Sequence, residues 1–255
     1  MAIYHCSIKV ISRGKGKSAV AAAAYRAGEK ITNQFDGMTH DYTHKGGVVH
    51  TEILLPDHAP AEYADRAVLW NEVEKIEKAK NAQLAREIEI SLPRELTREQ
   101  SISLVREYVK RHFVAAGMCA DVCLHDKNDG NPHAHILLTM RPIEKDGAWG
   151  AKQKKEYVLD RDGNKIYDPK KRQYKCKSVP ATDWNEQTKA EEWRAAWADV
   201  TNRQLEMYGH DERIDHRSNA ARGLDEQPTI HEGVTARALE RKGIIADRCE
   251  INRQI

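Results

Sequence analysis

Residues 118–141, MCADVCLHDKNDGNPHAHILLTMR, contain two runs of alternating residues joined by a polar segment. Alternation with a period of two is typical of a half-buried β-strand, and the joining segment is rich in turn-forming residues. The stretch therefore predicts an antiparallel hairpin with strands over 118–125 and 133–141. One face of each strand is wholly apolar, which favours a core on that side.

The rest of the chain supplies further strands and several helices. The segments 2–11, 48–55 and 84–92 are predicted strands, whereas the polar segment 31–47 is predicted to be a loop. The predicted helices are 19–31 with Ser18 as its N-cap, about 61–80, about 98–116 with a Thr97/Gln100 capping box, and about 183–208. Hairpins with helices between them predict an α+β fold, a central antiparallel sheet covered by helices.

Three histidines fall on the polar face of the predicted hairpin. His133 and His135 are two apart and share a face, and the turn folds His125 back opposite one of them. Three imidazoles that converge with one side open form a site for a divalent metal with free positions. Glu87, on the polar face of strand 84–92, either orients a histidine N–H or joins the metal. The alternative is that these residues are unrelated polar positions on a solvated face.

A tyrosine stands among small residues in the helix AVAAAAYRAGEKI, residues 19–31. Tyr25 is flanked on its helix face by Ala21, Ala22, Gly28 and Glu29. Such neighbours would let a DNA backbone approach the phenol, which predicts a covalent nucleophile that needs activation. A core tyrosine packed against alanines is the alternative.

Composition excludes several classes of protein. The formal net charge is only +2, so bulk charge gives no information about a nucleic-acid partner, which only a local pattern of residues can indicate. No apolar stretch is long enough to span a membrane. The N-terminus does not resemble a secretory signal, and five scattered cysteines predict reduced thiols in the cytoplasm. Basic residues concentrate in a segment of low hydrophobicity, 141–180, with twelve Lys or Arg against six acids.

The segment GKGKS, residues 14–18, is not a nucleotide-binding P-loop, because Ile11 stands where the motif requires glycine. A phosphate at the start of the following helix, between Lys15 and Lys17, is the remaining expectation.

With these residues assembled, the sequence resembles the relaxase domain of the MobA/MobL (MobQ-class) mobilisation proteins, which belong to the HUH endonuclease superfamily. The resemblance covers nearly the whole chain and is weakest in 151–177. It is carried by these stretches: MAIYHCSIKVISR, AAYRAGEKI, REIEISLPREL, HDKNDGNPHAHILLTMRP, WRAAWADVTNRQLEMYGHDERIDHRS and GLDEQPTIHEG.

The resemblance implies an enzyme that nicks one DNA strand at a transfer origin through a 5′-phosphotyrosine intermediate and can religate it. It assigns Tyr25 as nucleophile and implies Mg²⁺ or Mn²⁺ on His125, His133 and His135, with Glu87 as the acidic residue near the metal. In this mechanism Glu87 or a histidine is the candidate to take the phenolic proton, and Tyr42 is a less favoured substitute nucleophile. It implies single-stranded or hairpin origin DNA as partner, with accessory relaxosome and type IV secretion coupling proteins, in the bacterial cytoplasm and without membrane insertion. The expected DNA-contacting residues are Lys15, Lys17, Arg26, Lys152, Lys154, Lys155 and Arg217. We predict a catalytic domain over residues 1–220, containing the insertion 141–180, and a tail over 221–255.

Four other interpretations remain open at this point. The enzyme alternatives are a rolling-circle replication initiator of the HUH type and a metal-free phosphoesterase using two HxS motifs, His5-Cys6-Ser7 and His216-Arg217-Ser218. The others are a structural zinc site that combines Cys119 and Cys123 with the histidines, and a non-catalytic single-stranded-DNA-binding module.

Overall fold

The fold was analysed in a computed structural model, which describes residues 3–225, 227, 229, 230 and 232–255. The helices are α1 (Ala19–Ala27), α2 (Arg66–Ile76), α3 (Arg98–His112), α4 (Gln187–Met207), α5 (Gly233–Glu240) and α6 (Asp247–Gln254). The longer strands are β1 (Cys6–Ser12), β4 (Val48–Leu54), β5 (Gln83–Ser91), β6 (Ala120–His125), β7 (His133–Thr139), β8 (Gln153–Tyr157) and β11 (Cys176–Pro180). The short strands are β2 (Lys30–Thr32), β3 (Thr39–Asp41), β9 (Tyr167–Asp168) and β10 (Gln173–Tyr174).

Five strands form the central sheet in the order β1-β5-β7-β6-β4. Every neighbouring pair is antiparallel, and helices pack against the sheet, so the predicted α+β fold is confirmed. The predicted hairpin register is also confirmed, since His125 lies directly opposite His133. Strand β7 is bonded to a neighbour on each side, which places its histidines in the middle of the sheet.

Each face of the sheet is covered by its own apolar cluster. The first face packs against α3 and α4, with Ile88, Val122 and Ile136 at its centre. The second face packs against α1 and α2, where Cys119 and Leu137 join the alanines of α1. The idea that the polar face is simply solvated is therefore wrong for most of its length: Asp121 and Cys123 are buried there as well.

Local signals placed some helix boundaries well and others poorly. The Ser18 N-cap and the Thr97/Gln100 capping box are confirmed. Helix α1 ends earlier than predicted because Gly28 adopts a left-handed conformation with φ of 69°, which glycine tolerates best. The helix predicted over about 61–80 is shorter, since a 3₁₀ turn precedes Asp65, whose side chain caps α2.

Two regions form short strands that are not part of the central sheet. The segment 31–47 is not all loop, because β2 pairs with β3. The basic insertion forms two small two-stranded sheets, β8 with β11 and β9 with β10, and the second pair lies between β8 and β11 in the chain. Among the described residues, no helix is both long and apolar enough to cross a bilayer.

The chain divides into two compact units, residues 1–215 and 216–255. The first contains the sheet and α1 to α4, and the second contains α5 and α6 with a small cluster around Ala236 and Cys249. The functional division into residues 1–220 and 221–255 stays a prediction.

Candidate metal centre and nucleophile

The three predicted histidines converge at one end of the central sheet. His125 ends β6, whereas His133 and His135 lie at the start of β7. A ligand-capable ring nitrogen from each lies within 4.8 Å of the other two, and the ring centroids are 4.8, 5.2 and 5.3 Å apart. The geometry allows all three imidazoles to bind one cation.

In each of these imidazoles one ring nitrogen is already bonded to a protein oxygen. The contacts are His125 Nε2 with the Arg26 carbonyl at 2.6 Å, His133 Nδ1 with the Asn131 carbonyl at 2.8 Å, and His135 Nδ1 with Glu87 Oε1 at 2.9 Å. A neutral imidazole donates its N–H in such a bond and keeps a lone pair on the other nitrogen. Each ring is thus held in one orientation, and its second nitrogen keeps a lone pair that can bind a metal. Burial lowers the pKa of His125 to about 4, which keeps that ring neutral at physiological pH.

Glu87 connects the histidines to α1. Its Oε1 accepts hydrogen bonds from His135 and from Arg26 Nε, the latter at 2.6 Å, and the Arg26 guanidinium also pairs with it at 2.5 Å. Burial alone would raise its pKa, but the hydrogen bonds and the Arg26 charge outweigh burial and lower the pKa to about 2. Glu87 is thus an ionised acceptor that orients a histidine. A second cluster of possible ligand atoms joins Glu87 and His135 with Glu89.

Tyr25 projects from α1 into the solvent. The interpretation as a core tyrosine is wrong, because 48% of the residue is exposed. Its ring contacts Tyr42 edge-on with centroids 5.2 Å apart, and Lys45 Nζ lies 3.9 Å from its centroid. The same ammonium donates a hydrogen bond to the Tyr25 carbonyl at 2.8 Å.

The tyrosine and Glu87 share one cleft of about 430 Å³, which Arg26 and Lys17 also line. Arg26 follows Tyr25 directly in α1 and contacts both Glu87, through its side chain, and His125, through its carbonyl. The candidate nucleophile and the histidine cluster are therefore joined by a single residue.

Two ion-pair networks that the sequence analysis missed anchor α1 at its ends. At its start, the Ala19 N–H donates to buried Glu74 at 2.7 Å, and Glu74 also pairs with Arg13. At its end, Arg66 contacts Glu29 and binds buried Asp121 with two hydrogen bonds of 2.8 and 2.9 Å. These partners are far apart in sequence. The one available signal was the presence of charged residues inside otherwise apolar segments, which does not identify the partner.

The predicted DNA-contacting cations differ in their surroundings. Lys15 and Lys17 are exposed before α1, although the Ala19 amide behind them is already bonded to Glu74. Lys154 and Lys155 are exposed on β8. Lys152 instead pairs with Glu77 at 2.8 Å and donates to the Gln83 carbonyl at 2.6 Å. Arg217 is exposed in the second compact unit. Their DNA contacts stay predictions.

The geometry is unfavourable for a zinc site built on cysteines. Among the described residues, the two clusters of three possible ligands contain only histidine and glutamate. Cys119 is packed in the second apolar cluster, and Cys123 is buried beside Asp121. Burial raises the pKa of both thiols, which disfavours the thiolates that zinc requires.

The fold and the site together define a class of protein: an α+β protein with a three-histidine centre and an accessible tyrosine. Comparison with known proteins places the chain more narrowly. The model of the MobA/MobL family matches residues 17–242, and the chain belongs to that family.

Curated relatives carry mobilisation and transfer names. The chain is 41% identical to the "Probable mobilization protein MobA" of Bifidobacterium longum over 100% of its own length and 47% of that protein. It is 39% identical to the "Mobilization protein MobL" of Acidithiobacillus ferridurans, covering 95% of this chain and 65% of that one. It is 43% identical to the "Conjugal transfer protein TraA" of Agrobacterium fabrum, covering 95% of this chain and 22% of that one. The chain thus spans from about a fifth to about two thirds of these relatives' lengths.

A solved structure also matches, described as "Molecular Basis of Vancomycin Resistance Transfer in Staphylococcus aureus". The similarity has a TM-score of 0.73 at 34% identity and covers 85% of this chain and 100% of the other. The expected family and fold are thereby confirmed.

Proposed function

We propose that this chain is a metal-dependent DNA relaxase domain that nicks one strand at a plasmid transfer origin and so initiates conjugative mobilisation. The observation that carries the proposal is the junction at Arg26. This residue follows the exposed Tyr25 and contacts both the histidine cluster and Glu87. The mobilisation and transfer names of the relatives support the same conclusion.

The donor set fits a divalent metal. His125, His133 and His135 would hold it, each through one ring nitrogen, and Glu87 would orient His135 through its hydrogen bond to that ring. When bound, such an ion supplies positive charge that offsets the charge developing on a phosphate. Of the Mg²⁺ and Mn²⁺ that the family resemblance implies, an all-imidazole set favours Mn²⁺, because Mg²⁺ prefers oxygen ligands.

Tyr25 carries the chemistry in this proposal. Its phenolic oxygen forms a bond to phosphorus while the bond from phosphorus to the 3′-oxygen breaks. The products are a 5′-phosphotyrosine and a 3′-hydroxyl; the phenolic proton is released and the leaving oxygen gains one. The number of phosphoester bonds is unchanged, so the 3′-hydroxyl can attack the phosphotyrosine and restore the strand.

The surrounding residues position this tyrosine and its substrate. Glu87 is a poor general base, because it is ionised with a low pKa and already accepts bonds from Arg26 and His135. Lys45 packs against the Tyr25 ring and restricts its orientation while it places a positive charge beside the phenol. Lys17 in the same cleft would contact the DNA backbone.

The partner in this proposal is single-stranded or hairpin origin DNA, bound in the bacterial cytoplasm together with relaxosome and coupling proteins. A rolling-circle initiator would share the chemistry, but the relatives' names favour mobilisation. The metal-free phosphoesterase and the non-catalytic module predict different responses to chelation and to loss of Tyr25.

A labelled single-stranded oligonucleotide that spans the transfer origin tests the proposal. After incubation with Mn²⁺, a denaturing gel should show a shortened strand and a slow-migrating protein–DNA adduct. EDTA or Tyr25→Phe should abolish both products while DNA binding persists, and Tyr42→Phe should retain them. Nicking that survives EDTA would support the phosphoesterase, and unchanged behaviour of Tyr25→Phe would refute the nucleophile.

A further inference from the structure

A second cleft has His125, one of the three clustered histidines, in its wall. It measures about 510 Å³, within the range of roughly 300–1,000 Å³ that is usual for ligand pockets. It shares no lining residue with the cleft of Tyr25. His125 bonds to the Arg26 carbonyl, and Arg26 lines the Tyr25 cleft, so this contact joins a lining residue of one cleft to a lining residue of the other.

The lining of this second cleft combines an apolar floor with charged edges. Leu92, Leu96 and Leu124 belong to the apolar cluster on the α3 face of the sheet and are nearly fully buried. Arg94 and Arg98 stand at the rim and are exposed. Among the described residues, neither guanidinium makes a hydrogen bond or an ion pair that would occupy its donors.

Arg94 is positioned by the turn between β6 and β7. A methyl group built on Gly130 would lie 3.1 Å from Arg94 Cζ, so the guanidinium packs directly over this glycine, whose φ is +78°. The planar guanidinium group of Arg94 therefore lies close to the backbone of the turn that precedes His133. Glu99 and Asp126 also line the cleft and add hydrogen-bond acceptors, so the lining is not purely cationic.

We propose that this second cleft binds one unstacked nucleobase of the DNA strand, adjacent to the phosphate that the histidine centre engages. A flat heteroaromatic base matches an apolar floor, guanidinium planes that stack on bases, and donors and acceptors at the rim. A free phosphate group would need only the arginines and would be repelled by the two acids. The inference rests on the proposed function and adds a specificity site to it.

Binding assays with abasic oligonucleotides test this inference. The Tyr25→Phe protein is used so that binding is measured without cleavage, and origin oligonucleotides each lack one base at successive positions. Removal of one particular base should weaken binding about 5- to 150-fold, the usual effect of one stacked base. In the Arg94→Ala/Arg98→Ala double variant, the intact oligonucleotide should bind more weakly, and the same abasic change should cost less than 2-fold.

The matched control is Lys110→Ala, which removes a cation from the other end of α3. It should keep the full abasic penalty, and Arg94→Lys/Arg98→Lys should lose most of it, because lysine keeps the charge without the plane. Equal penalties at every position, or a penalty that persists in the alanine double variant, would overturn the inference. In that case Mn²⁺-dependent nicking by the unmodified chain would still stand, whereas loss of nicking itself would overturn the proposed function.

Discussion

Glu87→Gln separates the electrostatic role of Glu87 from its shape. The lowering of the Glu87 pKa to about 2, from an ordinary value of 4.5, reflects the stabilisation of its charged form by His135 and Arg26. At about 1.4 kcal/mol per pH unit, this lowering corresponds to about 3 kcal/mol. A neutral glutamine resembles the protonated acid, so the free energy of unfolding should fall by about that amount near pH 7. For a chain of this size the melting temperature should drop by roughly 6–12 °C.

The same substitution should weaken metal binding. Glu87 accepts the hydrogen bond from His135 that leaves the other ring nitrogen of that histidine available. Loss of such an outer partner typically lowers metal affinity about 10- to 100-fold. Calorimetry or manganese electron paramagnetic resonance on the folded variant, below its new melting temperature, measures this affinity directly. Nicking should recover in part at saturating Mn²⁺, because the three imidazoles remain.

Glu89→Gln is the matched control, since it removes the same charge two residues away. Glu89 is more exposed than Glu87 and bonds to Lys9 at 3.2 Å, so its loss should cost less than 1 kcal/mol. If Glu89→Gln weakened Mn²⁺ binding while Glu87→Gln did not, Glu89 would be the acidic residue of the centre and the reasoning here would be wrong.

Four further predictions concern pH, stability and DNA binding. In metal-free protein, the pKa of His125 is lowered from 6.5 to about 4. The free energy of unfolding should therefore be highest above pH 6.5 and should fall by about 3 kcal/mol as the pH drops to 4, because the unfolded chain takes up the proton first. Urea unfolding with EDTA measures this pH dependence, which His125→Asn should abolish. Asp121→Asn should destabilise the protein by at most roughly 3–5 kcal/mol, measured by the same unfolding, because it removes the buried carboxylate that pairs with Arg66 and leaves this arginine only the more exposed Glu29. Lys152→Ala should lower stability, since its ammonium is paired with Glu77, and should weaken DNA binding less than Lys154→Ala does. Lys154→Ala should weaken DNA binding. It should also make the slope of log affinity against log salt concentration shallower by about 1, the effect of one lost phosphate contact, which salt titrations of the dissociation constant measure.

The hairpin with its histidines was predictable because strand alternation is local information. The period of two set the phase of residues 118–125 and 133–139, and a short turn leaves little freedom in register. The N-cap at Ser18 was equally predictable, because a capping side chain bonds an amide only a few residues away.

The covering of the second sheet face was not predictable from spacing. Arg66 and Asp121 are widely separated in sequence and meet only when α2 packs on β6. The exposure of Tyr25 depends likewise on which helix face meets the sheet, and an alanine-rich helix gives little contrast between its faces. Lys45 lies in a loop, and its contact with the tyrosine depends on the path of that loop.

The position of β7 has a consequence for when the protein becomes active. This strand follows β1, β4, β5 and β6 in the chain, yet it inserts between β5 and β6 and brings two of the three histidines with it. A nascent or truncated polypeptide that lacks residues 133–139 would contain the tyrosine but would lack two of the three histidines and the central strand of the hydrophobic core. Under the proposed chemistry, the insertion of β7 completes both the hydrophobic interior and the three-histidine centre, so a polypeptide without this strand is unable to nick DNA.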